Sequence, residues 1–376
     1  MIALIASAFF MAAASLPPQQ ASPSSPTTSV AQAAGDFDQL AQAAKRAREE
    51  DRDDSAIDSY RQALILKPGW DEGLWYLGAL LYEKQNYFEA CTFLRRFLAQ
   101  NPSNGYGWAM LGLSEFESHE YTRALDHLQQ SMLAGLGDNK KMRSTVTYVI
   151  AILLNRSEQF DESMDLLMAR VASGEDTSTL VEPLGLAALR LPFLPAEIPA
   201  DDKEMIRIAG NAVLALEEQH YAEADKLFDQ LEATYPDQPG VHFLIGVHLL
   251  DSRPEDGIKE LKREIEISPS HVTARIRLAD QYIKQQNVDL GLQYAQEALK
   301  LAPGSASGHM VLGEGLIAKG DSARGILELE TARKASPDMV RIHWDLERAY
   351  TAAGRVADAD REKGEIERLS QQEQAH

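Results

Sequence analysis

The sequence predicts an all-α fold in which antiparallel helix pairs stack into a solenoid, and three observations lead to it. Prolines keep a beat: Pro68 and Pro102 are 34 residues apart, and Pro236, Pro269, Pro303 and Pro337 follow one another at 33, 34 and 34. Ala56, Ala90 and Ala124 keep the same interval, as do Gly78 and Gly112. Within a period, apolar residues fall at three- and four-residue steps, the spacing of one helix face. A fixed period of this length over most of a chain marks repeated supersecondary units.

The first segment reads as an address. Met1–Ala14 (MIALIASAFFMAAA) is almost wholly apolar but shorter than the ~20 residues that span a bilayer. The run Ala12-Ala13-Ala14-Ser15, followed by Pro17-Pro18, fits a secretory signal and its cleavage zone, although no basic residue precedes Lys45. Residues 1–15 are therefore expected to be a signal peptide or N-terminal anchor. The chain is expected to be exported, periplasmic or extracellular, and to touch a membrane only through Met1–Ala14 if that stretch stays uncut. Residues 16–35 hold four of the 16 prolines and no charge, a composition that cannot bury a core and reads as a flexible linker.

Residues 36–174 hold repeats one to four. Residues 71–102 (DEGLWYLGALLYEKQNYFEACTFLRRFLAQNP) show the unit. Two apolar-faced stretches flank a polar break, EKQN, and Pro102 ends the second, because proline cannot extend a helix interior. The beat breaks over residues 175–204, which hold Pro183, Pro192, Pro195 and Pro199. A short helix is expected there from about Pro183 to Leu191, proline being tolerated in a first turn, and then an extended strap, PFLPAEIP. This insertion is read either as packing of Leu186, Leu189, Leu191, Phe193 and Leu194 on neighbouring helices, or as a hinge or strap over the groove. Residues 205–376 resume the beat as repeats five to nine. After Ala359 the last unit runs out in charged residues (DREKGEIERLSQQEQAH), a polar helix suited to cap an open solenoid end.

These residues resemble tetratricopeptide repeats. The likeness rests on Trp108, Leu111-Gly112, Ala124 and Leu128 in repeat three; on Leu278-Ala279, Tyr282, Gly291, Ala298 and Pro303 in repeat seven; and on Leu312-Gly313, Gly325, Leu329, Ala332 and Pro337 in repeat eight. Small residues at positions 8 and 20 suit the point where two helices cross. About nine units are counted, beginning near Phe37, Asp71, Gly105, Ser144, Met205, Pro239, Val272, Ala306 and Val340. The resemblance covers about 310 residues and implies a right-handed superhelix. Units one, four and nine match least well: Ala43-Ala44 replaces Leu-Gly in the first, and Ser163 replaces Ala in the fourth.

Composition bounds the chemistry. Of 376 residues 44% are hydrophobic, so the chain folds; there are 37 basic and 57 acidic side chains, for a net charge of -20. That excess argues against nucleic acid and anionic lipid as partners. It is concentrated in residues 105–238 and is read as solvated outer surface. One cysteine, Cys91, makes neither an internal disulfide nor a thiolate zinc site, and no neighbouring base activates it. The nine histidines include no HExxH pair. His242, His309 and His343 fall at position 4 of their repeats, a packing position in the family resembled. No strand pattern precedes any glycine-rich run. No catalytic residue, metal, cofactor or small-molecule substrate is expected; an enzyme whose site lies at the 175–204 insertion is the remote alternative.

In the family resembled, positions 2, 5, 6, 9, 12 and 13 of each first helix line a concave face. Mapped onto this chain they give Trp75, Tyr76 and Tyr82 in repeat two; Tyr106, Met110, Leu113 and Phe116 in repeat three; Tyr148 in repeat four; and Phe243 in repeat six. An aromatic lining of this kind suits an extended or helical segment of another protein. Family members that clamp a C-terminal carboxylate use Lys, Asn and Arg, where this chain has Ala41, Lys45, Tyr76, Tyr106 and Met110, so that partner is rejected. The expected function is a non-catalytic protein-interaction scaffold whose partner is a protein or peptide. The alternative is an envelope assembly or recruitment factor tethered through an uncut Met1–Ala14.

Overall fold

The computed structural model describes residues 28–174 and 177–375. The expected signal, Met1–Ala14, and most of the linker lie outside the described residues. Those described form nineteen α-helices and no strand. Contacts divide the chain after Ser173 into two compact units.

Unit 1 contains α1 (Thr28–Glu49), α2 (Asp53–Leu66), α3 (Asp71–Glu83), α4 (Tyr87–Leu98), α5 (Gly105–Glu117), α6 (Tyr121–Ala134), α7 (Lys140–Arg156) and α8 (Phe160–Ala172). Each odd-numbered helix packs on the even-numbered helix that follows, and each pair packs on the next. Helix α1 begins at Thr28, inside the stretch that composition assigns to the linker. Pro26 is the last proline before it, and Ala31, Ala33 and Ala34 beyond it are strong helix formers.

Unit 2 opens with α9 (Val181–Ala188) and continues through α10 (Lys203–Glu217), α11 (Tyr221–Thr234), α12 (Val241–Ser252), α13 (Pro254–Ile267), α14 (Val272–Lys284), α15 (Val288–Leu301), α16 (Ala306–Ala318), α17 (Ser322–Ala335), α18 (Val340–Ala352) and α19 (Val356–Ala375). Helices α10 to α19 pack as five successive pairs. First helices start on the beat at Asp71, Gly105, Val272, Ala306 and Val340.

The polar breaks inside the pairs have one geometry. The second residue after the first helix adopts a left-handed conformation at Asp51, Gln85, His119, Glu158, Gln219, Gln286, Gly320 and Gly354. The next N–H then reaches back five residues, as from Asn86 to the Leu81 carbonyl at 2.8 Å and from Asp321 to the Leu316 carbonyl at 2.9 Å. This helix stop satisfies carbonyls that the helix end leaves open. It fixes an antiparallel return wherever a polar or glycine residue occupies the left-handed site.

The glycines at position 8 act through space rather than backbone freedom. A Cβ on Gly112 would stand 2.6 Å from Leu128 Cγ, and one on Gly313 2.8 Å from Leu329 Cγ. Leucine at position 24 thus fills the volume that glycine leaves, and the pair closes. In repeat four, Ser163 is fully buried and its hydroxyl donates to the Ala151 carbonyl at 2.8 Å, which explains how a polar residue is tolerated at the small-residue site.

Residues of the break join the core of unit 2. Leu186, Leu189 and Ile198 are buried with Met205, Ile206 and Ala209, and Leu191 and Phe193 pack against them. Helix α9 ends at Ala188, short of the expected Leu191, because Arg190 turns left-handed. Its start at Val181 leaves Pro183 within the first turn, where its missing N–H is not needed. Behind it, Glu264, fully buried, accepts from the backbone N–H groups of Gly240 (3.0 Å) and Phe243 (3.2 Å) and caps α12. Burial raises the Glu264 carboxyl above the usual carboxylate range, against the pull of those donors.

Candidate functional site

The face predicted to bind is carried in unit 1 by the first helices α3, α5 and α7. Eight of the nine predicted residues lie on them. Trp75, Tyr76, Tyr82, Tyr106, Phe116 and Tyr148 are half-buried, whereas Met110 and Leu113 are buried. The half-buried rings lean on second helices. The Trp75 ring lies 5.3 Å from Phe97, Tyr76 stacks on Tyr60 at 6.1 Å, Tyr82 meets Tyr87 edge-on at 5.4 Å and Phe116 lies 5.8 Å from Tyr121. The Arg48 guanidinium covers the Tyr76 ring at 3.5 Å, and that of Arg170 stands 5.7 Å from Tyr148. Trp75, Tyr76, Tyr82, Phe116 and Tyr148 therefore each spend part of their ring on packing.

The ninth residue, Phe243, belongs to unit 2. It is buried with Ile258, Leu261 and Leu278, and its ring lies 4.7 Å from His271.

Two of the three first helices of the unit 1 face, α3 and α5, end in a glutamate. Glu83, half-buried at the end of α3, is pushed up to about 7 by burial first and by Asp53 second. Burial also raises Glu117 at the corresponding place on α5. Glu117 lies near Tyr82 and Tyr87, and burial makes ionisation costly at both carboxyls.

The residues set aside as structural show why they are so. Cys91 is buried and its thiol is pushed up to about 11, by burial first, which keeps it from acting as a thiolate at neutral pH. The position-4 residues form a repeated clasp. His242, His309 and His343 each direct Nε2 at the carbonyl of the proline six residues earlier, at 2.7, 2.9 and 2.7 Å, and Nδ1 at a glutamate of the second helix, at 2.6, 2.7 and 2.6 Å. Trp108 donates its indole N–H to the Pro102 carbonyl at 2.8 Å in the same way. The beat prolines thus end one unit and offer the acceptor that fastens the next. His343→Phe keeps a ring but leaves the Pro337 carbonyl and one side of the buried Glu362 without a partner. A loss of about 1–3 kcal/mol is expected in urea unfolding.

One polar constellation escaped the sequence reading. On unit 2, Asp280 of α14, Glu314 of α16 and Arg341 of α18 join: Arg341 Nη2 donates to Asp280 Oδ1 at 2.9 Å and to Glu314 Oε1 at 3.0 Å. They occupy groove positions 9, 9 and 2 of repeats seven, eight and nine. Mapping the lining positions onto these three repeats, as for repeats two, three, four and six, picks them out. Among the described residues no group of three or more His, Cys, Asp or Glu could hold a metal ion. No helix among them is long and apolar enough to cross a membrane.

One comparison with known proteins, the family model, agrees with this architecture over a single unit. Residues 72–104 match the tetratricopeptide repeat family model; they span α3 from its second residue, α4 and the turn that leads to α5. No curated protein matches the chain. Among solved structures, a MamA double mutant described as RS-1 ArsTM is 15% identical over 47% of this chain and 99% of its own, at a TM-score of 0.40. A second MamA structure is 16% identical over 44% and 97%, at 0.38. MamA from residue 41 to its end, from Desulfovibrio magneticus RS-1, is 16% identical over 47% and 98%, at 0.37. At these scores the likenesses carry nothing further. Helix pairs at a 34-residue period, closed by small residues at position 8, give the described residues the architecture of a tetratricopeptide-repeat array, and the family model matches one of its units, residues 72–104.

Proposed function

We propose that the protein is a non-catalytic scaffold whose unit 1 face, carried by α3, α5 and α7, binds an extended or helical segment of another protein. The observation that supports this reading is the row of half-buried aromatic residues, Trp75, Tyr76, Tyr82, Tyr106, Phe116 and Tyr148. A core that needed these rings for stability alone would enclose them, as it encloses Leu74, Leu77 and Leu111. Half-buried aromatic side chains serve as rigid anchors at interfaces. The test is Trp75→Ala combined with Phe116→Ala. Phe97 and Tyr121 stay on the second helices, so melting is expected to fall by only a few degrees. Capture of a binding protein by the immobilised chain is expected to drop at least tenfold. Undiminished capture, or a variant that no longer folds, overturns the assignment of these rings as a binding face.

The chain is further proposed to act outside the cytoplasm, on the strength of Met1–Ala14 and the proline-rich stretch behind it. Intact mass of the mature protein tests this. Loss of roughly the first 15–30 residues supports cleavage, and retention of Met1–Ala14 supports the tethered form.

A further inference from the structure

The groove positions of repeats seven, eight and nine differ in charge from the rest of the chain. They carry four basic side chains, Arg277, Lys284, Arg341 and Arg348, against three acidic ones, Asp280, Glu314 and Asp345, in a chain of net charge -20. All but Arg277 line one surface cleft of about 690 Å³ formed by α14, α16 and α18. Arg277 stands on α14 one turn before Asp280. Burial first, and then the neighbouring Asp345 carboxyl, push Glu314 up to about 8, against the lowering pull of Arg341, while Asp280 adds to the upward push. At neutral pH Glu314 is therefore uncharged and donates to Asp345, which leaves these groove positions with two positive charges in excess.

Donors are in surplus as well. Arg341 uses only Nη2 toward Asp280 and Glu314, and Arg348 only Nη2 toward Asp345. Nε and Nη1 of both arginines have no hydrogen-bond partner among the described residues. Lys284 Nζ lies 2.9 Å from Asp280 Oδ2 and keeps further N–H groups to give. Half-buried Arg277 has no ion pair among the described residues. The side chains of Lys284, Arg341 and Arg348 are 62%, 45% and 71% exposed, so their spare donors are within reach of an arriving acceptor.

We propose that the groove of α14, α16 and α18 docks an acidic segment of another protein, whose aspartate or glutamate side chains accept from Arg277, Lys284, Arg341 and Arg348. Carboxylates supply the acceptors that these four heads lack, and guanidinium–carboxylate bonds are among the stronger hydrogen bonds. A basic segment would meet repulsion from the same heads. A nucleic acid or an anionic membrane offers the right sign of charge, but it spreads that charge beyond three helices, where the acid excess of the chain opposes it. An extended peptide is narrow enough to meet the groove alone. The site lies on unit 2 and does not depend on the unit 1 face proposed above. Ionisation of Glu314 adds a negative charge among Asp280, Asp345, Lys284, Arg341 and Arg348, so affinity for the acidic segment falls as pH rises through 8.

The test is titration calorimetry of the full chain with two peptides, blocked at both ends, in which glycine alternates with glutamate or with glutamine. The glutamate peptide is expected to bind at pH 7, about tenfold tighter than its glutamine counterpart, and to weaken as salt rises from 50 to 300 mM. General attraction cannot produce this result, because the chain as a whole repels the peptide at a net charge of -20. Arg277→Gln with Lys284→Gln leaves Asp280 its bond from Arg341, so melting is expected to change by no more than about 2 °C while affinity falls about tenfold. The parent is expected to bind about threefold more weakly at pH 9 than at pH 7, and Glu314→Gln, which keeps a donor toward Asp345, to lose that difference while matching the parent at pH 7. Trp75→Ala with Phe116→Ala leaves this binding intact. Equal binding of the two peptides, or no binding of the glutamate peptide at 50 mM salt, overturns the proposal. So does glutamate-peptide binding that the Arg277→Gln, Lys284→Gln chain retains in full, or that the unit 1 variant loses.

Discussion

Gly210→Ala is expected to lower the melting temperature of unit 2 by about 6–12 °C, the equivalent of about 3 kcal/mol for a unit of this size. Helices α9 and α10 meet backbone to backbone. A Cβ on Gly210 would stand 1.9 Å from the Val181 carbonyl oxygen, and one on Gly185 would stand 1.9 Å from that of Ile206. The obstacle is main chain in both directions, so no rotamer change relieves it and the helix axes must separate. Separation opens the core in which Leu186, Ile206 and Ala209 are buried, and Gly185→Ala is expected to act in the same direction. Gly364→Ala is the control. Gly364 lies on the exposed side of α19 with nothing within 4 Å of an added Cβ, and there alanine is expected to stabilise by about 0.5–1 kcal/mol. Thermal unfolding followed by circular dichroism checks both. A Gly210→Ala chain that melts within 2 °C of the parent would mean that the two helices do not cross at these glycines.

The second large effect concerns pH. Glu314 holds its proton up to about 8 in the folded chain, from an ordinary value of 4.5. The folded state therefore binds more protons than the unfolded state between these values. Its stabilising contribution is complete below about pH 4.5 and is lost as pH rises through 8. Raising pH from 5 to 9 is expected to destabilise unit 2 by about 1–3 kcal/mol, a figure discounted for relaxation around the coupled carboxyls. Glu314→Gln carries no titrating group, so it removes that slope and leaves the variant more stable than the parent at pH 9. Glu83 acts with the same sign in unit 1, over the narrower window that ends near 7. Asp280 acts oppositely: burial raises it, but Lys284 and Arg341 together outweigh burial and hold it below its usual value. Its contribution is lost only in acid. Urea unfolding at pH 5, 7 and 9 checks the prediction; a Glu314→Gln chain with the parent's pH slope would refute it.

Much of the fold was legible because it is written in local and one-repeat spacings. The left-handed stops at Gln85 and His119 sit in the polar breaks, and Gly112 against Leu128 is a contact of 16 residues that repeats with the beat. The break at 175–204 was legible as a change of pattern. Its close Gly185–Gly210 crossing was not, since neither glycine is in phase with the repeat. The face proposed to bind was legible as a set of positions. Its division was not: Phe243 falls in the other unit, and Met110 and Leu113 are spent on packing.

The sequence by itself determined that this protein is an array of helix pairs, where each pair turns, and which stripe of each first helix faces its neighbours. Those features depend on the helical period and on residues within about one repeat. Only the tertiary structure decided what that stripe does. Asp280 and Arg341 are 61 residues apart, yet they share a hydrogen bond because α14, α16 and α18 stack closely enough for one guanidinium to reach across. The same stacking buries Asp345 and leaves Trp344, its neighbour in sequence, half in solvent. Pairing across two repeats depends on axis spacing and side-chain reach, which no pattern of residue types along a chain specifies.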